Sequence, residues 1–308
     1  MTTNLELFAT TALIALFSSV VATILGYPIG NWLAGTGRRT RQLVSSFLLV
    51  PFLLPPFLIG ITLLPLQPNT FNSITGILWI IGAHVLMNAG FMARVVSANQ
   101  VPADQLEAAA LDGASSVRKR FAIELPQQLA GMLSAGLLVA LYSATSYGLV
   151  LTLGAGKVET LETEIATAAL RDLDLNFALT LALLQTALTL CFFYLARSIG
   201  AEPAPLFGEQ ETASNGSKLG GLLAALLLAA IVIVFAGVFV RAITYGPGLV
   251  ENFANLAGRG SRELLNISVA EAALNSLRNL IVAALIALPI AWFAAGRKRT
   301  SYLVLLPI

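Results

Sequence analysis

The sequence predicts an all-α protein, a polytopic bundle of membrane helices, and three observations carry that prediction. Hydrophobic residues make up 57% of the chain and charged residues only 11%, with a mean hydropathy of +0.82, whereas soluble domains carry about a quarter charged residues. Seven apolar runs, at residues 8–33, 43–66, 77–96, 129–153, 177–199, 219–240 and 269–295, each reach the roughly 20 residues that cross a bilayer core. Twelve of the eighteen basic residues fall on alternate connections between those runs.

Taken in order, the first run has no basic residues before it, so it reads as a retained helix rather than a cleaved leader. Arg38, Arg39 and Arg41 follow it; Arg94, Arg118, Lys119 and Arg120 flank the connection after the third run. Arg197 and Lys218 bracket the one after the fifth, and Arg297, Lys298 and Arg299 follow the seventh. The other side holds Lys157, Arg171, Arg241, Arg259, Arg262 and Arg278, thinly spread. By the positive-inside rule the connection at about 98–127 is cytoplasmic and the amino terminus external. Cys191 is the only cysteine and lies inside the fifth run, which rules out a disulfide framework or a thiolate metal site.

Residues 200–218, rich in Pro, Glu, Ser and Gly, read as a cytoplasmic linker after a first unit of five helices at 1–199. Beyond it, the segment from Ala273 repeats the one from Ala12 at a constant offset, with ten identities over 28 positions. Pro28 falls on Pro289, Gly35 on Gly296 and Arg38 on Arg299. Residues 219–308 are therefore expected to begin a second, incomplete unit, the natural protein being about twice as long or its reading frame cut short.

The most ordered polar stretch is EAAALDGASSVRKRFAIELP, 107–126. Pro102 suits a first helical turn, Asp104 complements the positive helix end, and Gly113 supplies a stop. Ser115 or Ser116 can cap a second short helix that Pro126 limits. A helix, a sharp turn and another helix result, with a shallow surface at Ala108, Ala109 and Ala110 flanked by Leu111 and Phe121. Such a protrusion suits insertion into a partner's groove.

Glu107, Ala108, Ala109, Gly113, Ile123, Leu125 and Pro126 fill every fixed position of E-A-A-x3-G-x9-I-x-L-P, and the stretch resembles the cytoplasmic signature of ABC importer permeases. Glu271-Ala272-Ala273 also reads E-A-A, but Leu277 stands where the Gly belongs. Upstream, Asn88, Arg94 and Pro102 match the family's approach to the signature, while Gly90 replaces the Pro expected two residues after Asn88. The loop and helix following residue 151 are similar to those of thiamine and ferric iron permeases, which carry two fused units. The resemblance implies a multi-pass protein of a bacterial inner membrane that takes substrate from an external binding protein and work from a cytoplasmic ATPase dimer. Glu107, Ala108, Ala109, Gly113, Arg118, Ile123, Leu125 and Pro126 would form the coupling surface. Thiamine or ferric iron is the implied substrate; polyamine, sulfate and phosphonate permeases are the alternatives within the class.

Polar residues inside spans mark a route for substrate. Asn88, Ser143, Thr145, Ser146, Tyr147 and Gln185 are the candidate path, against the alternative that Ser and Thr hydroxyls bond their own backbone and help helices pack. His84 has no carboxylate or second imidazole at ligand spacing and reads as a packed interior residue. Glu159, Glu162, Glu164, Asp172 and Asp174 form an acidic external loop that could meet a binding protein. No P-loop, catalytic dyad or metal cluster is legible, so neither an enzyme nor a resident cofactor is expected, and nothing points to nucleic acid. An ion-coupled secondary transporter would need buried carboxylates, and among the core spans only Glu271 comes near.

Overall fold

The computed structural model describes residues 3–68, 72–199, 218–244, 246, 248–258 and 266–295. The expected linker at 201–217, the basic cluster Arg297–Arg299 and the closing YLVLLPI lie outside the described residues. Every regular element among the described residues is helical, as the composition predicts. Among the described residues six helices are long and apolar enough to cross a membrane, or up to seven spans if a bent pair is counted as one.

The first compact unit, Met1–Phe235, is organised around α1 (Asn4–Ala34), a helix of 31 residues opened by a capping box. Glu6 N donates to Thr3 Oγ1 at 3.2 Å while Thr3 N donates to Glu6 Oε2 at 2.7 Å. The face of α1 that carries Ser18, Ser19, Ala22, Gly26 and Gly30 is buried, whereas Leu13, Phe17, Val20 and Ile24 are exposed on the other side. In water that outer face would be a liability; in lipid it is the solvent-facing surface.

Against the buried face lies α4 (Ser73–Ala98). A Cβ on Gly26 would fall 2.5 Å from Met92 Cβ, and one on Gly30 would fall 2.5 Å from the Ala93 carbonyl oxygen. The two backbones approach as closely as they do because these residues, four apart, have no side chains. Lipid tails are as apolar as Leu, so helix association in a bilayer rests on such close packing.

The run at 43–66 is not one straight helix. It divides into α2 (Arg38–Leu53) and α3 (Pro56–Leu63), which meet at 91°. Leu54 is extended (φ −83°, ψ 150°) because a residue before proline is pushed out of the helical region, and Pro55 and Pro56 both lack an N–H. Opposite α2, α4 passes straight through Asn88 and Gly90. The Leu48 carbonyl occupies the space that a Gly90 Cβ would need, so the position where the family pattern has Pro is here a point of helix contact.

The run at 129–153 also breaks, into α7 (Leu125–Ala144) and α8 (Tyr147–Leu153), with Thr145 and Ser146 outside helical geometry. Thr145 Oγ1 donates to the Leu141 carbonyl at 3.2 Å, which offers the backbone an alternative to continuing the helix. α9 (Leu161–Leu170) and α10 (Leu175–Ser198) complete the five-helix core. The first part of α11 (Lys218–Thr244) packs on this same unit, where Gly220 and Gly221 sit against Pro28 and Trp32.

The second unit, Ala236–Ile308, holds α12 (Leu249–Ala254) and α13 (Val269–Ala295). The membrane-length stretch of α13 buries none of its residues. Like α1, α13 carries an interior proline, Pro289 at the repeat position of Pro28.

The close contact on Gly90 yields the first prediction. Gly90→Ala should overpack the α2–α4 crossing and cost about 1–3 kcal/mol, lowering the thermal midpoint of the purified protein. Gly82→Ala, at a glycine with nothing within 4 Å of a Cβ, should leave the midpoint unchanged.

Candidate functional site

Between α4 and α7 the chain leaves the bundle. α5 (Ala103–Leu111) starts after Pro102, which takes the N-cap position, and Asp104 lies in the first turn. Only Leu106 of this helix is buried, so α5 is anchored at one point and presents Glu107, Ala108, Ala110 and Leu111 to solvent. Gly113 ends it in the left-handed region at φ +81°. Its N–H donates to the Ala110 carbonyl at 3.0 Å, and Ala114 N donates to the Ala109 carbonyl at 2.9 Å. This Schellman-type closure satisfies carbonyls that a helix end would otherwise leave open.

Ser115 caps the next helix, its Oγ accepting from Arg118 N at 3.3 Å. The second helix does not stop at Pro126. α6 (Ser116–Lys119) continues through a π-helical turn at Arg120–Glu124 into α7, making one helical stretch from Ser116 to Ala144. Pro126 sits in the first turn of α7, and the wide turn just before it accommodates the missing N–H and the ring. Arg118, Val117 and Phe121 are exposed, while Ile123 and Leu125 are half-buried at the return to the bundle. All eight residues of the expected coupling surface therefore lie on one helix–turn–helix.

A set of amides that the sequence did not single out ties this loop to α1. Gln100, at the entrance, donates to Asn31 Oδ1 at 3.1 Å, and Gln128, at the exit, reaches the same oxygen at 3.4 Å. All three side chains are buried. Gln127 Nε2 donates to Gln105 Oε1 at 3.2 Å across the base of the loop, and the Arg120 guanidinium lies 5.5 Å from the centre of the Tyr27 ring. Both legs of the loop are thus held by the same end of α1.

The candidate path residues divide. Asn88, Thr145, Ser146 and Tyr147 line one cavity of about 500 Å³, together with Phe52, Leu54, Pro56, His84, Met87, Tyr142 and Gly148. Ser143 and Gln185 lie outside that lining. Gln185 Nε2 donates to the Ala144 carbonyl at 2.9 Å, which packs α10 on the end of α7. His84, expected as a packing residue, is both buried and part of the cavity wall.

On the acidic loop, two carboxylates have local tasks. Asp174 caps α10 by accepting from Phe177 N at 3.0 Å, and Asp172 pairs with Arg171 at 3.0 Å. Burial holds the Glu162 carboxyl above its ordinary range. Burial does the same for Glu164, reinforced by the charges of Glu159 and Asp172. Among the described residues no group of three or more His, Cys, Asp or Glu side chains is placed to hold a metal ion.

The described chain is a bundle of membrane-length helices with an exposed polar helix–turn–helix between α4 and α7. The profile of the family described as binding-protein-dependent transport system inner membrane components matches residues 26–246, and the chain belongs to that family, the permeases of ABC importers. The family is a transport component rather than a class of enzyme. The chain is 29% identical over 211 residues to the thiamine transport system permease protein ThiP of Brucella abortus, covering 60% of this chain and 38% of that protein. It is 33% identical over 98 residues to PhnU of Salmonella typhi, named for 2-aminoethylphosphonate transport, covering 32% of this chain and 34% of that one. The chain thus spans well under half the length of these relatives. Among solved structures, an inward-facing MetNI methionine ABC transporter aligns with TM-score 0.49 at 16% identity over 63% of this chain and 95% of that one.

The amide cluster is open to test. Asn31→Leu would remove the acceptor that Gln128 reaches and one of the two that Gln100 uses, the other being the Val96 carbonyl at 2.7 Å, at about 1–3 kcal/mol. Limited proteolysis in membranes should then cut within residues 101–126 several-fold faster than in the wild-type protein, while Gln105→Ala, which removes only the solvent-exposed bond to Gln127, has a smaller effect.

Proposed function

We propose that this chain is the membrane-spanning part of an ATP-driven importer in a bacterial inner membrane, in which α5 and its turn dock into a cytoplasmic ATPase dimer. An external binding protein would deliver substrate on the opposite side, where the acidic residues around α9 are available to it, and lipid would cover the exposed apolar faces. Substrate would pass by the cavity that Asn88, Thr145, Ser146 and Tyr147 line. The single observation that carries the reading is the docking element itself. A short helix fixed at Leu106 and closed by a left-handed Gly113 presents Glu107 and Ala108 outward, with the full family signature in place.

Thiamine is the favoured substrate, because the match to the thiamine permease of Brucella abortus runs over 211 residues, whereas that to the phosphonate permease runs over 98. Ferric iron rests on the sequence resemblance alone. The repeat of α1 in α13 supports the reading of 1–199 as one permease unit, 200–218 as a cytoplasmic linker and 219–308 as the start of a second.

Gly113→Val tests the docking role. A β-branched residue at φ +81° is strained by about 1 kcal/mol or more, enough to misdirect α6 while sparing the bilayer-spanning core. The variant should insert normally and lose co-purification of the ATPase, or retain it and lose uptake. Normal binding and uptake in Gly113→Val, with Glu107→Lys equally silent, would contradict the assignment.

Topology is tested separately. Cys191 is exposed, so it is first replaced by Ser; single cysteines at Ser115 and Glu159 should then react with an impermeant thiol reagent from opposite sides of the membrane. Reaction of both from outside would overturn the orientation.

A further inference from the structure

We propose that the cavity between α2, α3, α4, α7 and α8 is a recognition site for a flat heteroaromatic group, neutral or singly positive, whose edge is read by His84. The proposal deepens the transport reading and rests on it for the ligand's route, not for its chemistry.

Both helix breaks of the first unit meet here, since Leu54 and Pro56 from one and Thr145 and Ser146 from the other line the same space. Non-helical backbone within a bilayer is tolerated where it is buried in protein or lines a cavity, and discontinuous helices are a recurrent way of building a binding site at membrane depth. The volume of about 500 Å³ lies within the range of small-molecule pockets.

The wall carries Phe52, Tyr142 and Tyr147 beside His84. Phe52 stacks on Phe91 with centroids 4.8 Å apart and planes within 9°, and meets Tyr142 edge-on at 5.9 Å. Each ring therefore restrains its neighbour, and Tyr142 and Tyr147, both exposed, border the opening. Such faces favour a planar ring, and a positive charge on that ring adds cation–π attraction.

The polar groups of the wall are few, and two of their buried atoms, His84 Nε2 and Ser146 Oγ, have no hydrogen-bond partner. His84 is 3% exposed; its Nδ1 lies 3.3 Å from Ser18 Oγ on α1, while Nε2 has no partner. Ser146 Oγ, also buried in this wall, has none either. The Ser18 hydroxyl serves either tautomer of the ring, so Nε2 can meet a ring nitrogen or an exocyclic amine of the ligand. Asn88 commits its amide nitrogen to the His84 carbonyl at 2.7 Å and so braces the turn that carries the imidazole.

Among the described residues, no Asp, Glu, Lys or Arg lines the cavity. An anion would shed its hydration here with no cation to replace it, and a hard metal ion would find no carboxylate. An aromatic ring with hydrogen-bonding edges meets stacking faces and directional partners instead.

The test uses the full chain in lipid nanodiscs with Cys191 replaced by Ser and Thr145→Cys, on the cavity wall, as reporter for a methanethiosulfonate reagent. Thiamine serves as the cationic heteroaromatic probe and 2-aminoethylphosphonate as the anionic one. At a concentration about ten times its dissociation constant, thiamine should slow modification about tenfold, and 2-aminoethylphosphonate at the same concentration should not. His84→Phe should abolish the protection and His84→Gln, which keeps a hydrogen-bonding edge, should restore part of it. Co-purification of the ATPase with each variant reports independently on the transport reading. Protection by neither probe, equal protection by both, or protection by thiamine that survives in His84→Phe would overturn the proposal.

Discussion

The crossing of α1 and α4 is the contact on which the rest of the structure depends. A bilayer supplies no hydrophobic force to bring two apolar helices together, so their association rests on how closely the backbones can approach. Gly26 and Gly30 set that distance against Met92, Ala93 and Val96. Once α4 lies on α1, its other residues are positioned in turn. Gly90 receives the Leu48 carbonyl of α2, His84 comes within reach of Ser18, and the end of α4 delivers Gln100 to Asn31.

From the same crossing follow the two regions to which we assign function. At one end, the Asn31, Gln100 and Gln128 amides hold both legs of the loop against α1, so in the proposed docking a force on α5 would be passed to α1 and α7. Toward the other end, Ser18 holds the imidazole of His84 at the wall of the cavity. α1 therefore contacts both legs of the exposed helix–turn–helix and, through Ser18, one side chain of the cavity wall, which would give the proposed coupling a short physical route.

Much of the docking element was legible in the sequence because its signals are local. Asp104 in the first turn, Gly113 at the stop and Ser115 at the cap act within three or four residues of themselves, and the structure places each in that role. Pro126 was misread as a terminator, since a π-turn upstream allows the helix to run through. The spans were harder. Hydropathy summed over 43–66 and 129–153 does not register a break, although Pro55–Pro56 and the Thr145–Ser146 pair are its causes. The amide cluster joins residues 69 and 97 positions apart, and no local pattern reveals such a pairing. His84 was read as packing because it lacks a second ligand at metal spacing; its place in an aromatic wall depends on how three broken or crossing helices meet.

The central claim is that the 103–121 helix–turn–helix is the surface through which this membrane protein is driven. Hydrogen–deuterium exchange of the chain in nanodiscs, with and without its ATPase, tests it most directly. Bound ATPase should slow exchange of the amides of α5, the Gly113 turn and α6, and leave those of 154–174 unchanged. Protection that is absent from 103–121, or that appears at 154–174 instead, would contradict the account.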